Sequence, residues 1–298
     1  MTSSPSDAKE ILAALLPFLK VAGAYAQQIQ KRIDVDVHPD KYEGEHVFAN
    51  ALTDADLSIQ TFVEVVLLAK FPKLRFYGEE YEQSYNTKYF RSIELGAPGD
   101  KSDYLVTLDP IDGTRYYMDG HPNYLVMMTV LTADGFEGAI ALSPPNNKYY
   151  YSLRGQGTFV GTLDDDLDQC KPLVIENPGE TVVLGTALSP VAHVVRSHFP
   201  VIDLKTEYSS EVAVPPINGL LTGEVAGVVL ASAQFIDTAA LAWMAQEMGY
   251  CLTTYEGEAL PPPSACENYR QSEIIVSATQ EMQDKLIGIM QEIKRSQS

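Results

Sequence analysis

The sequence has few cysteines and few positive charges. Its three cysteines, Cys170, Cys251 and Cys266, are odd in number and lack the spacing of metal ligands. We therefore expect reduced thiols rather than a structural zinc site or a disulfide framework. The 21 lysines and arginines are outnumbered by 40 aspartates and glutamates, which gives a formal net charge of -19. Such a surface repels polyanions, so nucleic-acid polymers and anionic membranes are not expected partners.

The sequence also lacks a long uninterrupted apolar run. The first 24 residues have no basic segment, and Lys9, Glu10 and Lys20 interrupt their apolar stretch. We expect neither a signal peptide nor a membrane span, and with the reduced thiols this favours a cytoplasmic location. The spacing of the apolar residues predicts an amphipathic helix instead. Its buried face is expected to contain six apolar residues, Ile11, Leu12, Leu15, Leu16, Leu19 and Val21.

The remaining pattern predicts two lobes. Helices are expected over residues 7–31 and 54–69, the second with Phe62, Val65, Val66 and Ala69 on its apolar face, and residues 34–50 are expected to form a loop. Short strands follow, and from about residue 181 strands alternate with helices, including one helix over residues 190–198. The order indicates an α+β first lobe, residues 1–160, joined to an α/β second lobe, residues 161–298.

The segment from Tyr104 to Thr114 carries the strongest chemical signal. An apolar strand leads into Asp109, Pro110 stiffens the turn that follows, and Asp112 can point back toward the same volume. Two carboxylates confined in this way repel each other unless they are protonated or share a cation, and oxygen ligands suit Mg²⁺. The alternative is an ordinary Asp-Pro turn closed by Asp-Gly.

Three further acidic elements accompany this motif. Glu79 and Glu80 follow a short predicted strand, Asp56 lies at the start of a predicted helix, and Asp237 precedes an apolar helix. Taken singly, Asp56 and Asp237 are also typical of simple helix N-caps.

Together and in this order, four segments resemble the inositol monophosphatase superfamily, whose members are lithium-sensitive, magnesium-dependent phosphatases. The segments are Thr53-Asp-Ala-Asp56, Gly78-Glu-Glu80, Asp109-Pro-Ile-Asp-Gly-Thr114 and Asp237-Thr-Ala-Ala240. The resemblance implies a layered αβαβα sandwich and hydrolysis of a small phosphorylated metabolite by metal-activated water. Family members are often homodimers, although no feature of this sequence defines an interface.

The resemblance also implies a role for each matching residue. Glu79, Asp109 and the backbone carbonyl of Ile111 would hold a first Mg²⁺. Asp109, Asp112 and Asp237 would hold a second, and a third, weaker ion would lie near Glu79.

The catalytic residues implied in the same way are Asp56 and Thr114, which would orient the attacking water, and Glu79. The backbone amides of Gly113 and Thr114 would bind the phosphate.

The sequence departs from the family pattern around the substrate. Tyr81 replaces a common serine, Arg115 follows the Asp-Gly-Thr, no family lysine is evident in residues 44–50, and Leu230 stands where a substrate-binding glutamate is usual. An inositol or sugar monophosphate is the first expectation. The alternatives are a 3'(2'),5'-bisphosphate nucleotide, fructose 1,6-bisphosphate and histidinol phosphate. Arg115 either contacts a second anionic group, which would favour a bisphosphate, or is an exposed arginine after a turn.

Two other classes remain as alternatives. The haloacid dehalogenase signature also places aspartates after a strand, but its aspartates are two residues apart, whereas Asp109 and Asp112 are three apart. A covalent phosphoaspartate on Asp109 would revive that mechanism. The second alternative is a metal- or ligand-binding relative without turnover.

Overall fold

The chain divides into two compact units in a computed structural model that describes residues 7–32, 54–212 and 214–297. The first unit comprises Met1–Leu153 and Phe159–Lys171, and the second comprises Arg154–Thr158 and Pro172–Ser298. The loop predicted over residues 34–50, Thr53 and the 44–50 segment without lysine lie outside the described residues. Within the described ranges, no helix has the length and apolar character needed to cross a membrane.

The described residues of the first unit form three α-helices and the strands of a mixed sheet. The helices are α1 (Ala8–Gln30), α2 (Asp54–Lys70) and α3 (Thr114–Met118). The strands are β1 (Arg75–Gly78), β2 (Leu105–Asp112), β3 (Leu125–Thr132), β4 (Gly135–Ser143), β5 (Lys148–Leu153), β6 (Gly157–Thr162) and β7 (Lys171–Pro172), the last two of which cross the unit boundary in the chain. Their order in the sheet is the chain order, from β1 to β7.

The helix α1 confirms the predicted first helix. Asp7 caps it, because its carboxylate accepts a hydrogen bond from the backbone N–H of Glu10 at 2.9 Å. Leu12, Leu15 and Leu19 are fully buried as expected, whereas Val21 is 58% exposed and was wrongly assigned to the buried face. Val21 lies two residues after Leu19, about 200° around the helix, so it points away from the core.

The helix α2 has the predicted bounds to within one residue, but of its predicted apolar face only Val66 is buried. Phe62 is 36% exposed and Val65 is 54% exposed, whereas Ile59, Val63 and Leu67 are buried. The buried residues follow a spacing of four, so they form one stripe of the helix. Apolar residues occupy both sides of α2, and periodicity alone could not show which side packs against the sheet.

The central strand β2 runs further than the sequence predicted. Its pairing with β3 continues to Asp109, opposite Met127, and resumes at Asp112, opposite Leu125, with a register shift between them. Three steps along β2 therefore match two steps along β3, which is the count of a β-bulge. The bulge contains Pro110, which has no backbone N–H to contribute to the ladder.

The second unit is built on a five-stranded sheet with the order β12-β14-β10-β8-β9. These strands are β8 (Val182–Leu184), β9 (Val201–Asp203), β10 (Gly227–Leu230), β12 (Cys251–Thr253) and β14 (Ile274–Ser277), while β11 (Ala233–Gln234) pairs with β13 (Arg270–Gln271). The helices are α4 (Ala192–Arg196), α5 (Leu204–Glu207), α6 (Thr238–Glu247) and α7 (Gln280–Gln297).

The parallel strands β8, β9 and β10 confirm the α/β character expected for this part of the chain. The terminal helix α7 buries Leu286, Met290 and Ile293 in the core of this unit. The helix predicted over residues 190–198 is shorter than expected. Residues Thr186–Val191 form a 3₁₀ helix that contains Pro190, and α4 begins only after it.

Candidate metal centre

The acidic segments of the first unit that follow β1 and end β2 lie next to each other at the carboxyl ends of these two strands. The strands β1 and β2 are parallel, and Gly78 pairs with Leu108 near the end of each. Glu79 continues this register, since its backbone N–H donates to the carbonyl of Leu108 at 3.0 Å. Glu79, directly after β1, and Asp109, directly after Leu108 in β2, therefore occupy neighbouring positions in this register.

The bulge in β2 brings its two aspartates together. In a regular strand, residues three apart point to opposite faces, but one inserted residue reverses that relation. Carboxylate oxygens of Asp109 and Asp112 lie within 4.8 Å of each other. Asp109 is 3% exposed, and its Oδ1 accepts a hydrogen bond from the backbone N–H of Ile111 at 3.0 Å. The pair is thus held close by backbone geometry.

A second pair of interacting carboxyl groups consists of one residue in α2 and one residue in the segment after β1. Asp56, in the first turn of α2, and Glu80 are both buried. Burial and, to a lesser extent, the negative charge of Asp56 together raise the pKa of Glu80 to about 7. The carboxyl group of Glu80 is therefore only partly ionised near neutral pH in the absence of a cation.

Glu80 was not among the residues assigned a role from the sequence. The Glu79 side chain, which was assigned one, is exposed, and Glu80 is the buried member of the pair. The two residues lie in the turn that follows β1, where strand alternation does not fix which of them faces inward. The adjacent glutamates were the signal, but only the packing of α2 shows which of them is buried.

The turn after β2 adds a hydroxyl and a left-handed glycine. Thr114 donates its hydroxyl hydrogen to the carbonyl oxygen of Ile111 at 2.9 Å. Gly113 has a φ of +88°, and a Cβ there would lie 3.0 Å from the carbonyl oxygen of Asn123, so both conformation and space favour glycine. The Ile111 carbonyl oxygen has a second lone pair that remains chemically suited to a metal ion.

Arg115 is engaged within its own helix. Its Nε donates to a carboxylate oxygen of Asp119 at 2.9 Å, one turn further along, and only 21% of its side chain is exposed. The interpretation as an exposed arginine after a turn does not describe this environment, and contact with a second anionic group stays a prediction.

Asp237 belongs to the second unit. It is the N-cap of α6, and its carboxylate accepts hydrogen bonds from the backbone N–H and the hydroxyl of Thr238. Burial raises its pKa, while these hydrogen bonds and the charge of Arg270 act in the opposite direction. The cap interpretation is confirmed, and the role of Asp237 as a metal ligand stays a prediction.

The donor set of the first unit suits a hard divalent cation. It is provided by the carboxylate oxygens of Asp109 and Asp112, and Asp56 and Glu80 add a second acidic pair whose members interact electrostatically. Such oxygen donors match the preference of Mg²⁺ and contain no soft thiolate or imidazole ligand. The residues therefore fit the metal that the sequence resemblance implies.

Comparison with known proteins defines the family. The sequence model of the inositol monophosphatase family matches residues 8–295, so the chain belongs to that family. A solved structure of the IMPase of Thermotoga maritima superposes with a TM-score of 0.66 at 18% identity and covers 94% of this chain and 96% of that one. The inositol monophosphatase of Anabaena superposes with a TM-score of 0.64 at 16% identity, covering 95% of each chain. The mixed sheets and helices therefore have the layered α+β fold of these proteins.

The curated relatives with named activities match over shorter regions. A fructose-1,6-bisphosphatase/inositol-1-monophosphatase of Aquifex aeolicus is 28% identical over 51% of this chain and 52% of its own. A histidinol-phosphatase of Chlorobaculum parvum is 26% identical over 44% of each chain. The alignments thus span about half the length of these relatives, whose names cover different phosphorylated substrates.

Proposed function

We propose that this protein is a magnesium-dependent phosphomonoesterase that hydrolyses a small phosphorylated metabolite. The observation that carries the proposal is the bulge in β2, which holds the carboxylates of Asp109 and Asp112 within 4.8 Å of each other. Two carboxylates so placed favour a shared cation. A bound cation also reverses the local sign of the field, which a chain with a net charge of -19 needs in order to accept a phosphate.

In this proposal, Glu79, Asp109, Asp112, Asp237 and the carbonyl of Ile111 are the metal ligands. Magnesium, when bound, supplies positive charge to the phosphate oxygens and makes water a stronger nucleophile near neutral pH. The side chains of the protein then mainly position the reactants, because phosphoryl transfer depends on alignment and charge neutralisation. Support for Asp237 comes from its place in the ordered motifs and from its half-buried carboxylate, which caps α6.

Thr114 has a defined part in positioning the attacking water. Its hydroxyl hydrogen is donated to Ile111, so toward a water molecule the oxygen can only accept a hydrogen bond. A water that donates to Thr114 and to the carboxylate of Asp56 would present its own lone pair to phosphorus. The backbone amides of Gly113 and Thr114 are proposed to bind the phosphate oxygens.

The substrate proposed first is an inositol or sugar monophosphate. Arg115 already has its charge balanced by Asp119, so it is poorly suited to binding a second phosphate group. This ion pair favours a monophosphate over a sugar bisphosphate or a 3'(2'),5'-bisphosphate nucleotide. Histidinol phosphate remains the second candidate, since a relative that matches part of the chain carries that name.

The test is phosphate release from four substrates under identical conditions with magnesium. The substrates are inositol 1-phosphate, histidinol phosphate, fructose 1,6-bisphosphate and 3'-phosphoadenosine 5'-phosphate. We expect a monophosphate to give the highest kcat/KM. A bisphosphate that is hydrolysed best, with a loss of that preference in Arg115→Met, would contradict the substrate assignment. No release from any of the four would contradict the proposed function and favour a non-catalytic relative.

A further inference from the structure

A buried chain of hydrogen bonds lies behind the segment that carries Glu79 and Glu80. It starts at the backbone N–H of Glu80, which donates to Oε1 of Gln60 at 2.9 Å. Nε2 of Gln60 donates to Oε1 of Glu64 at 3.0 Å, one turn further along α2. The hydroxyl of Ser84 donates to the other carboxylate oxygen of Glu64. We refer to Gln60, Glu64 and Ser84 as the buried relay.

The relay is unusual because its two members on α2 are polar and almost wholly inaccessible, while Ser84 is half-buried. Gln60 is 1% exposed and Glu64 is 0% exposed. Within the described parts of the chain, no lysine, arginine or histidine forms a salt bridge with Glu64. A buried polar or charged side chain is costly unless its hydrogen bonds are well made. Such a group on a helix that could be apolar points to a role other than packing.

The order of donors and acceptors fixes the orientation of the Gln60 amide. One carboxyl oxygen of Glu64 accepts from the NH₂ end of Gln60, and the other accepts from the hydroxyl of Ser84. The carbonyl end of Gln60 must then face the N–H of Glu80. Reversing the amide would place two acceptors together at Glu64 and two donors together at Glu80. The relay therefore specifies one orientation of Gln60.

Gly78 shows how closely the relay approaches the chain before the acidic pair. A Cβ on Gly78 would lie 2.3 Å from Oε1 of Gln60, so no larger residue fits while Gln60 holds this position. The far end is fixed as well, since Ser84 also accepts from the N–H of Asn86 at 3.2 Å. The relay thus contacts the segment just before, at and just after its two glutamates.

We propose that Gln60, Glu64 and Ser84 are positioning residues that hold the Gly78–Ser84 segment so that the carboxylate of Glu79 can reach the metal centre. The inference rests on the proposed function, because it assigns the relay to the ligands of that centre. The relay touches neither substrate nor metal, and it acts through the backbone of Glu80. Breaking it is expected to weaken metal binding about 10- to 100-fold, the range typical of residues that orient metal ligands.

The test measures binding of Mn²⁺ directly, by the loss of the free-ion signal in electron paramagnetic resonance, and compares it with the magnesium dependence of phosphate release. Gln60→Met removes the amide at nearly constant volume. The matched control is Gln283→Met, which alters a buried glutamine of α7 that bonds to Ser277 and Thr253 in the second unit. Both variants are expected to lose stability, but only Gln60→Met should weaken Mn²⁺ binding and raise the magnesium half-saturation.

Two further variants separate the relay from a merely structural role. Glu64→Gln can still accept from Gln60 and donate to Ser84, so it should bind Mn²⁺ nearly as tightly as the unaltered protein. Glu64→Met cannot, and should resemble Gln60→Met. Equal Mn²⁺ affinity in Gln60→Met and Gln283→Met, or equal loss in Glu64→Gln and Glu64→Met, would overturn the relay.

The proposed function can fail separately from the relay. If the unaltered protein binds Mn²⁺ but releases no phosphate, the phosphatase proposal fails while the affinities of the variants still decide the relay. If the unaltered protein binds no divalent cation, both proposals are overturned. Turnover in the unaltered protein with unchanged Mn²⁺ affinity in every relay variant overturns the relay alone.

Discussion

The buried carboxyl group of Glu80 should make the metal-free protein less stable as the pH rises. Its pKa is about 7 in the folded protein, against an ordinary value of 4.5. The folded state therefore favours the protonated form. The stability that this preference contributes is fully present below about pH 4.5 and is lost as the pH rises through about 7. A separation of about 2.5 pH units corresponds to about 3 kcal/mol, at 1.36 kcal/mol per unit.

Replacing Glu80 by glutamine should remove this loss. The amide resembles the protonated carboxyl group in size and does not ionise, so Glu80→Gln avoids both the desolvation and the repulsion from Asp56. Urea unfolding in chelator should show the variant gaining about 1 to 3 kcal/mol over the unaltered protein between about pH 4.5 and pH 8. Asp56→Asn should produce a smaller gain, because the charge of Asp56 is the lesser of the two causes.

Two results would refute this reasoning. One is a stability difference between Glu80→Gln and the unaltered protein that does not change with pH. The other is a variant that becomes relatively less stable toward alkaline pH. Saturating magnesium supplies an internal control, because a bound cation stabilises the ionised carboxylates and should shrink the advantage of the variant.

Three other substitutions test the centre and its surroundings. Asp109→Asn should lower kcat/KM by more than about 100-fold, which exceeds the usual effect of a residue that only orients a metal ligand. Activity near that of the unaltered protein would contradict the assignment of Asp109 as a ligand. Asp237→Asn retains an oxygen that can cap α6, so it should raise the magnesium half-saturation more than it lowers the melting temperature; the opposite result would leave Asp237 as a cap alone. Tyr117→Phe removes the hydroxyl that donates to the carbonyl of Ala26 at 2.8 Å and should cost about 1 to 2 kcal/mol of stability in urea unfolding, whereas an unchanged unfolding midpoint would show that this carbonyl finds another partner.

The sequence predicted much of the fold because apolar periodicity depends on local chemistry. The helices α1 and α2 lie where the pattern placed them, to within a residue at each end. The bulge in β2 could not be predicted in the same way. Its register depends on β3, a separate segment of the chain, and Pro110 shows only that pairing is interrupted, not where it resumes.

The candidate site was predicted unevenly for a related reason. Asp109 and Asp112 were identified because their motif is contiguous, and the structure brings their carboxylates together. The burial of Glu80, and not Glu79, depends on the packing of α2 against the sheet. The sequence did not predict the relay, because glutamine and glutamate residues such as Gln60 and Glu64 are typical of a solvated helix face. The structure shows that this face is buried and that Gly78 approaches Gln60 closely.

The most direct test of the account is phosphate release from the best monophosphate substrate before chelation, after chelation and after magnesium is restored. The account predicts release that chelation abolishes and magnesium restores, and that is absent in an Asp109→Asn protein that melts like the unaltered one. Release that survives chelation, or that persists in folded Asp109→Asn, would contradict a metal-dependent mechanism at this centre.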